Sequence, residues 1–596
     1  MRILLLLHSF NSLAQRLYVE LARDGHELSV ELDINDAITC EAVRLFRPDV
    51  VLAPYLKRAI PPEVWRRERC LIVHPGPVGD RGPAALDWAI LRGEPRWGVT
   101  VLQATEVLDG GPVWASVPFA MRLARKSSLY RFEVTEAAVA AVRAALARLT
   151  AGEPPMPAPA PLPALRAAPS ARERMIDWAR DTTETVLRKI HSADGYPGVQ
   201  DELLGRPVRL YEACGEAQLR GVPGCLLARR DTAICRATVD GAVWIGTLQP
   251  LGPPERAFKQ PATQVLGELA AQLPESDPGD QPVGAQPVSR HDVSRHEIRY
   301  QEHGAIGFLD FEFYNGAMSS AQCRRLLAAY RAARARPVRV LVLRGGADFW
   351  SNGMHLHCIE AADSAADASW QNIHALDDLA QEILCTQDRL TIAALRGNAA
   401  AGGVFLALAA DRVLARSGVV LNPHYRNMGN LYGSEFWTYL LPRRLGAEPA
   451  RALMQSRLPL GAPQACELGL IDAHAGPNPQ ALEALVTREA AALAEPAGFA
   501  ARLAAKAARR AADEAIRPLL SYRQAELERM RLNFYGFDPA YHIARHRFVH
   551  RASHAWTPLH LAAHRRTPGA AITPLAPSEP RAPSEPRPPG AAPLRA

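Results

Sequence analysis

Cys70-Leu71-Ile72-Val73-His74-Pro75-Gly76-Pro77-Val78-Gly79-Asp80-Arg81-Gly82-Pro83 runs an apolar segment into a loop of glycine and proline. The apolar part predicts a buried strand, and the loop lets backbone amides approach a ligand closely. His74 therefore stands just beyond a strand end, where open α/β sheets bind their ligands. The neighbouring sequence agrees. Met1–His8, Asp49–Ala53 and Gly98–Gln103 predict further strands, and Leu13–Arg23 and Tyr130–Leu149 predict helices. Strands alternating with helices predict an α/β, parallel, doubly wound unit over residues 1–165. Ala151–Ser170, rich in Pro and Ala, reads as a linker.

At 596 residues the chain needs about three or four cores. Residues 166–272 predict a helix (Asp181–Ser192) and short strands (Pro207–Glu212, Gly224–Ala228, Ala242–Leu248) of a small, OB-like β-barrel. A linker follows at 273–294. A further α/β unit spans 295–565, with strands at Ile306–Phe311, Val338–Arg344 and Thr391–Arg396. The tail, 566–596, repeats Ala-Pro-Ser-Glu-Pro-Arg at 576–581 and 582–587, a composition that predicts disorder.

Composition narrows the function. No run of about 18 apolar residues appears, so no membrane span is expected. The apolar Met1–His8 flows into a helix, which favours a buried strand over a secretory signal. Nine cysteines without a CxxC pair suit a reducing cytoplasm and no thiolate metal site. The net charge of +7 is spread without a basic, aromatic-interleaved block, so nucleic acid is not an expected partner.

Val107-Leu108-Asp109-Gly110-Gly111 is the natural companion of His74. A His near neutrality with an Asp to orient it can take and return a proton during acyl transfer. His74, Arg81-Gly82-Pro83 and Leu108–Gly111 together resemble the formyltransferases that use 10-formyltetrahydrofolate, among them the methionyl-tRNA enzymes. Ile176-Asp177-Trp178, Tyr196-Pro197-Gly198 and Val222-Pro223-Gly224 extend the resemblance through the barrel, to about residue 255. The resemblance implies catalysis by His74 and Asp109 and folate binding around Ile72, Arg81 and Gly82. Ile72 departs from it, because the family has a catalytic Asn there. Loss of one oxyanion donor costs roughly 3 kcal/mol of barrier. Another donor or an easier acceptor, such as a thiol, would offset that. Ser9-Phe10-Asn11-Ser12 suits either an anion or a plain helix cap.

A second glycine-marked pair lies in the third unit: Phe349-Trp350-Ser351-Asn352-Gly353, and Ala401-Gly402-Gly403 heading an apolar helix. It resembles the crotonase (enoyl-CoA hydratase) superfamily, with its ββα spiral. That resemblance implies a thioester carbonyl clamped by the amides of Asn352 and Gly402, with Gly353 and Gly403 beside them. The hydratase carboxylates are missing: one position is Phe405, the other falls on His424 or Tyr425. Ordinary hydration is therefore not expected. Glu435, His424, Tyr425 and Tyr439 are the candidates for a base and a proton donor.

Formyltransferase, barrel and crotonase units in this order resemble the HypX/HoxX family of hydrogenase maturation proteins, as does Asn422-Pro423-His424-Tyr425 with Met428–Glu435. The resemblance implies carbon monoxide made for a [NiFe] centre, from 10-formyltetrahydrofolate through formyl-coenzyme A, with hydrogenase maturation proteins as partners. An amine formyltransferase with a separate acyl-CoA domain, and a scaffold that binds folate and CoA without turnover, remain open. No metal ligand set is assigned. His355-Leu356-His357 lacks a partner cluster, and His542, His546, His550 and His554, four residues apart, read as a polar helix face.

Overall fold

The computed structural model describes residues 1–276 and 295–566. The linker expected at 273–294 and the tail at 566–596 fall mostly outside them. Ile3 to Leu7 are no more than 1% exposed, because the strand Arg2–Leu7 is buried on both faces between Glu27–Leu32 and Val50–Tyr55. Cys70–His74 pairs parallel with Val50–Tyr55. The strand Glu27–Leu32 and the helix Asp36–Phe46 complete this half.

The sheet is not parallel throughout. Arg96–Gln103 runs antiparallel to Cys70–His74, and Val113–Ala120 antiparallel to Arg96–Gln103. A hairpin needs no helical crossover, so residues 104–112 are free to form the loop that carries Asp109. The expected helix from Tyr130 begins as a π-helical turn, Tyr130–Val134, before Thr135–Thr150.

The Pro/Ala segment after it is pinned across the first unit. Met156 bridges Val113, and the Arg166 amide donates to the Arg81 carbonyl at 3.0 Å. Arg81 and Trp88 donate to the carbonyls of Pro163 and Ala167. Proline has no N–H to give, but its carbonyls remain good acceptors.

The second unit packs the helix Thr183–Ala193, capped by Thr182, on an antiparallel sheet. Its strand order is Val199–Leu203, Arg206–Glu216, Ala242–Pro250, Ala233–Ala237, Leu226–Arg230. The third unit stacks two sheets. Ile298–His303, Ile306–Phe311, Val340–Arg344, Leu390–Leu395, Arg412–Arg416 and Ala473–Ala475 form one; Phe349–Ser351, Asn398–Ala400, Val420–Asn422 and Leu460–Gly461 form the other. The helices Pro479–Ala494, Pro496–Ile516, Leu519–Tyr535 and Ala540–Val549 follow.

The units are joined by buried charge. Asp348 accepts from Ser128 (2.6 Å) and Arg125 (3.3 Å) of the first unit, with Arg131 at 3.5 Å. Arg416 and Arg16 share Glu136, and Asn422 donates to Gln15. The chain end returns to the first sheet. The Leu561 carbonyl accepts from Val30, and buried Glu31 receives Thr557, His564 and Arg565.

Asp348→Asn removes the charge from that junction but keeps its shape. We expect a loss of about 3 kcal/mol, read as a lower midpoint in scanning calorimetry. An unchanged midpoint would show that the junction adds nothing to stability.

Candidate active sites

In the first unit the strand end and the hairpin loop converge. His74 Nε2 lies 2.9 Å from Asp80 Oδ2, and His74 Nδ1 lies 3.8 Å from Asp109 Oδ2. All three side chains are under 10% exposed. Each imidazole nitrogen thus faces a carboxylate, which orients the ring and stabilises an imidazolium. Asp109 is held in a left-handed turn (φ 50°), and its Oδ2 also accepts from the Gly82 amide at 3.0 Å. A side chain on Gly82 would strike the Arg166 carbonyl, at 2.1 Å.

Arg81, expected to bind folate, clamps protein instead. Its guanidinium donates to the Leu108 carbonyl at 2.9 and 3.0 Å and to Pro163 at 2.7 Å. It thereby sets the turn of Asp109. Ile72, two residues before His74 in the strand, packs with the apolar cluster of Ala53, Ile60 and Val64. Asn11 acts as a cap, accepting from the Ala14 amide. Asp80 is the functional side chain missed by the sequence reading. It stands in the quoted loop, but loop geometry alone brings it back to the ring.

In the third unit two loops meet. The strand Phe349–Ser351 ends in Asn352-Gly353, and the buried helix Gly402–Leu408 starts beside it. The Asn352 amide, expected in the carbonyl clamp, already donates to the Gly316 carbonyl at 2.7 Å. The Gly353 amide donates to Ser351 Oγ and that of His355 to Asn372. Met354, between them, is the residue of this loop whose amide has no acceptor among the described residues. Of the loop's amides, that of Met354 rather than that of Asn352 is thus left free to meet a ligand. Gly402 opens the buried helix beside this loop, and the Gly403 carbonyl accepts from the Trp350 indole at 2.9 Å.

Glu435 packs against the start of this helix. Its carboxyl lies so close to Gly402 that a Cβ there would meet Oε1 at 2.0 Å. Tyr425 donates its hydroxyl to Glu435 Oε2 at 2.6 Å and stacks on Phe405, centroids 5.5 Å apart. Phe405 fills the place of a hydratase carboxylate with an apolar wall.

Two further buried carboxylates hold this turn. Asp377 accepts from the Glu435 amide and the Ser434 hydroxyl, both at 2.8 Å. Glu526 accepts from the amides of Phe436 (2.9 Å) and Thr438 (2.8 Å). Glu435 and Phe436 are both left-handed (φ 57° and 61°), a conformation that bulky residues hold only when their surroundings enforce it. Burial, reinforced by the Asp377 charge, pushes the Glu435 carboxyl well above the carboxylate range. Burial likewise raises Asp377 to about 6 and Glu526 to about 8. Tyr425 is driven well above the usual phenol range by burial and the adjacent Glu435.

The other two candidates stand apart. Tyr439 donates to Asp513 at 2.7 Å and accepts from Arg510 at 2.8 Å, so it anchors the helix Pro496–Ile516. His424 is 7% exposed, and neither ring nitrogen has a partner among the described residues. Burial, with the charges of His560 and Arg457 nearby, lowers it to about 4, a neutral imidazole. Asp377 and Glu526 were not foreseen, since each comes from a helix distant in sequence and neither sits in a motif.

The chain matches the enoyl-CoA hydratase/isomerase family over residues 310–557. It matches the formyl transferase family over 29–127 and that family's C-terminal domain over 170–263. It is 56% identical over 577 residues to the hydrogenase maturation factor HoxX of Bradyrhizobium diazoefficiens, covering 96% of this chain and 99% of that one. The chain belongs to the HypX/HoxX family of hydrogenase maturation factors. A crystal structure of HypX from Aquifex aeolicus in complex with tetrahydrofolic acid superposes with a TM-score of 0.89, at 48% identity, covering 95% of this chain and 99% of that one. Over shorter spans the chain resembles methionyl-tRNA formyltransferases, for example that of Dechloromonas aromatica (30% over 172 residues, 29% of this chain and 55% of that one). No helix among the described residues is long and apolar enough to cross a membrane.

The buried carboxylates impose a pH dependence on stability. Glu526, raised to about 8 in the fold, stabilises fully below its unfolded value, and that contribution fades as pH rises through 8. Asp377 acts with the same sign up to about 6. Glu526→Gln should therefore flatten the decline in unfolding free energy between pH 5 and 8, measured by denaturant titration. A wild-type stability that climbs across that range would contradict this.

Proposed function

We propose that the chain makes carbon monoxide in two steps, formyl transfer from 10-formyltetrahydrofolate to the thiol of coenzyme A and cleavage of formyl-CoA to CO and CoA. The observation that carries the second step is the Tyr425–Glu435 pair set against the Gly402 helix, with Phe405 where a hydratase needs a carboxylate. Hydration requires a bound, activated water. This pocket has instead an apolar wall, a phenol and a carboxyl held protonated.

At the first site the thiol is the nucleophile. His74 takes its proton, Asp80 and Asp109 stabilise the imidazolium, and the sulfur attacks the formyl carbon. His74 then returns the proton to the departing folate nitrogen. A thiolate is a stronger nucleophile than an amine of similar basicity, which offsets the missing donor at Ile72. That the HypX relative binds tetrahydrofolic acid supports folate as the donor here.

At the second site the amides of Met354 and Gly402 would hold the thioester oxygen. Glu435 gives its proton to the leaving sulfur and takes the formyl proton on its other oxygen, with the Tyr425 hydroxyl steadying the carboxyl. The C–H and C–S bonds break, S–H and O–H bonds form, and the carbon leaves as CO. No water or oxidant enters the balance. The partner class is a protein that accepts CO for a metal centre, in keeping with the HoxX relative's name.

The test is CO captured by haemoglobin from protein given 10-formyltetrahydrofolate and CoA. His74→Ala should lower CO release by about 100-fold or more. Glu435→Gln and Tyr425→Phe should lower it comparably while formyl-CoA accumulates, read by mass spectrometry. Formyl product on an amine, with CoA unchanged, would sink the proposal. So would His74→Ala retaining full output.

A further inference from the structure

The polar face expected at His542–His554 acquires a carboxylate from elsewhere in the fold. His546 Nδ1 lies 2.7 Å from Glu360 Oε1, and His550 Nε2 lies 3.3 Å from the same oxygen. The two rings are 4.1 Å apart, and the three ligand atoms all fall within 4.8 Å of one another. Glu360 ends the helix Leu356–Glu360, while His546 lies in the helix Ala540–Val549 and His550 caps it.

We propose that Glu360, His546 and His550 form a binding site for one divalent transition-metal ion of the zinc, cobalt or nickel class. Two imidazole nitrogens and one carboxylate oxygen are a ligand set that such ions favour over magnesium or calcium. Ligand atoms around an ion at about 2.1 Å stand roughly 3 Å apart, and the two carboxylate-to-imidazole distances, 2.7 and 3.3 Å, match that spacing.

The surroundings fit. Arg545 donates to Glu360 Oε2 at 2.7 Å, which fixes the carboxylate and leaves Oε1 to face the imidazoles. Phe258 of the second unit packs edge-on to His550, centroids 5.3 Å apart, and sets its ring plane. His546 is 59% exposed, so an ion has a route in and water can complete its coordination. His542 of the same face is not a ligand: its Nε2 is turned to the Phe534 carbonyl, at 2.9 Å. In the metal-free state N–H groups of the imidazoles satisfy Oε1, and binding replaces those protons by the ion.

The position gives the ion a structural task. Leu356–Glu360 follows directly on the Met354 loop of the second site. An ion here ties that loop's helix to the C-terminal helices and, through Phe258, to the second unit. It would act by fastening these elements, not by touching substrate.

The test uses the full-length, untagged chain, metal-stripped, titrated with Co²⁺ and followed by visible absorption and elemental analysis. One Co²⁺ per chain is expected, displaced by Zn²⁺ but not by millimolar Mg²⁺, with a rise in thermal midpoint on binding. His546→Ala and His550→Ala should each weaken binding at least about tenfold. Glu360→Gln, which keeps a hydrogen-bonding oxygen for Arg545 and so protects the fold, should do the same. His542→Ala should bind as wild type does. The proposal is overturned if the wild type takes up no ion, if uptake survives in the double histidine variant, or if His542→Ala loses it equally.

Discussion

The arrangement of this chain hangs on Asp348. It stands at the start of the short strand that leads to the second site's loop, and its carboxylate gathers Ser128, Arg125 and Arg131 from the first unit. A buried carboxylate is costly unless its charge is met, and here, among the described residues, the charge is met across the unit boundary. Its backbone is fixed as well, since the Asp348 carbonyl accepts from Asn398 in the neighbouring strand. The same residue therefore orders the glycine loop and seats the formyltransferase unit against it.

The second site depends on a different economy. Three carboxylates, Asp377, Glu435 and Glu526, are at most 1% exposed and close together. Two of them accept amide hydrogens from the turn that carries the third. The cost of burying them is offset by backbone and hydroxyl donors and, for Glu435 and Glu526, by carboxyl groups pushed above the usual carboxylate range. The result is a Glu435 fixed in a strained backbone, pressed onto Gly402, and able to hold a proton at neutral pH. Strain and burial concentrated on one turn are what the proposed reaction at Glu435 draws on.

The residues that turned out differently share a cause. Arg81 was expected at the folate and Tyr439 among the reacting groups, yet each is engaged by protein: the Leu108 and Pro163 carbonyls for one, Asp513 and Arg510 for the other. Asn352 lost its amide to Gly316. In each case the competing partner lies far along the chain, so no local pattern could reveal it. Asp80, Asp377, Glu526 and Met354 were missed for the mirror reason, because their importance comes from neighbours rather than from spacing.

The sequence by itself pointed to an α/β chain of several units, the strand that presents His74, the Asp109-Gly110-Gly111 segment as its companion, and the two glycine-marked loops of the third unit. Those are set by short-range physics: apolar periodicity, glycine conformational freedom and loop length. Tertiary structure alone decided that the last strands run antiparallel, that His74 is flanked by two carboxylates, and that burial pushes the Glu435 carboxyl above the usual carboxylate range. It alone brought Glu360 to His546 and His550. Protonation and coordination depend on which charges share a low-dielectric space, and only the packed chain brings those charges together.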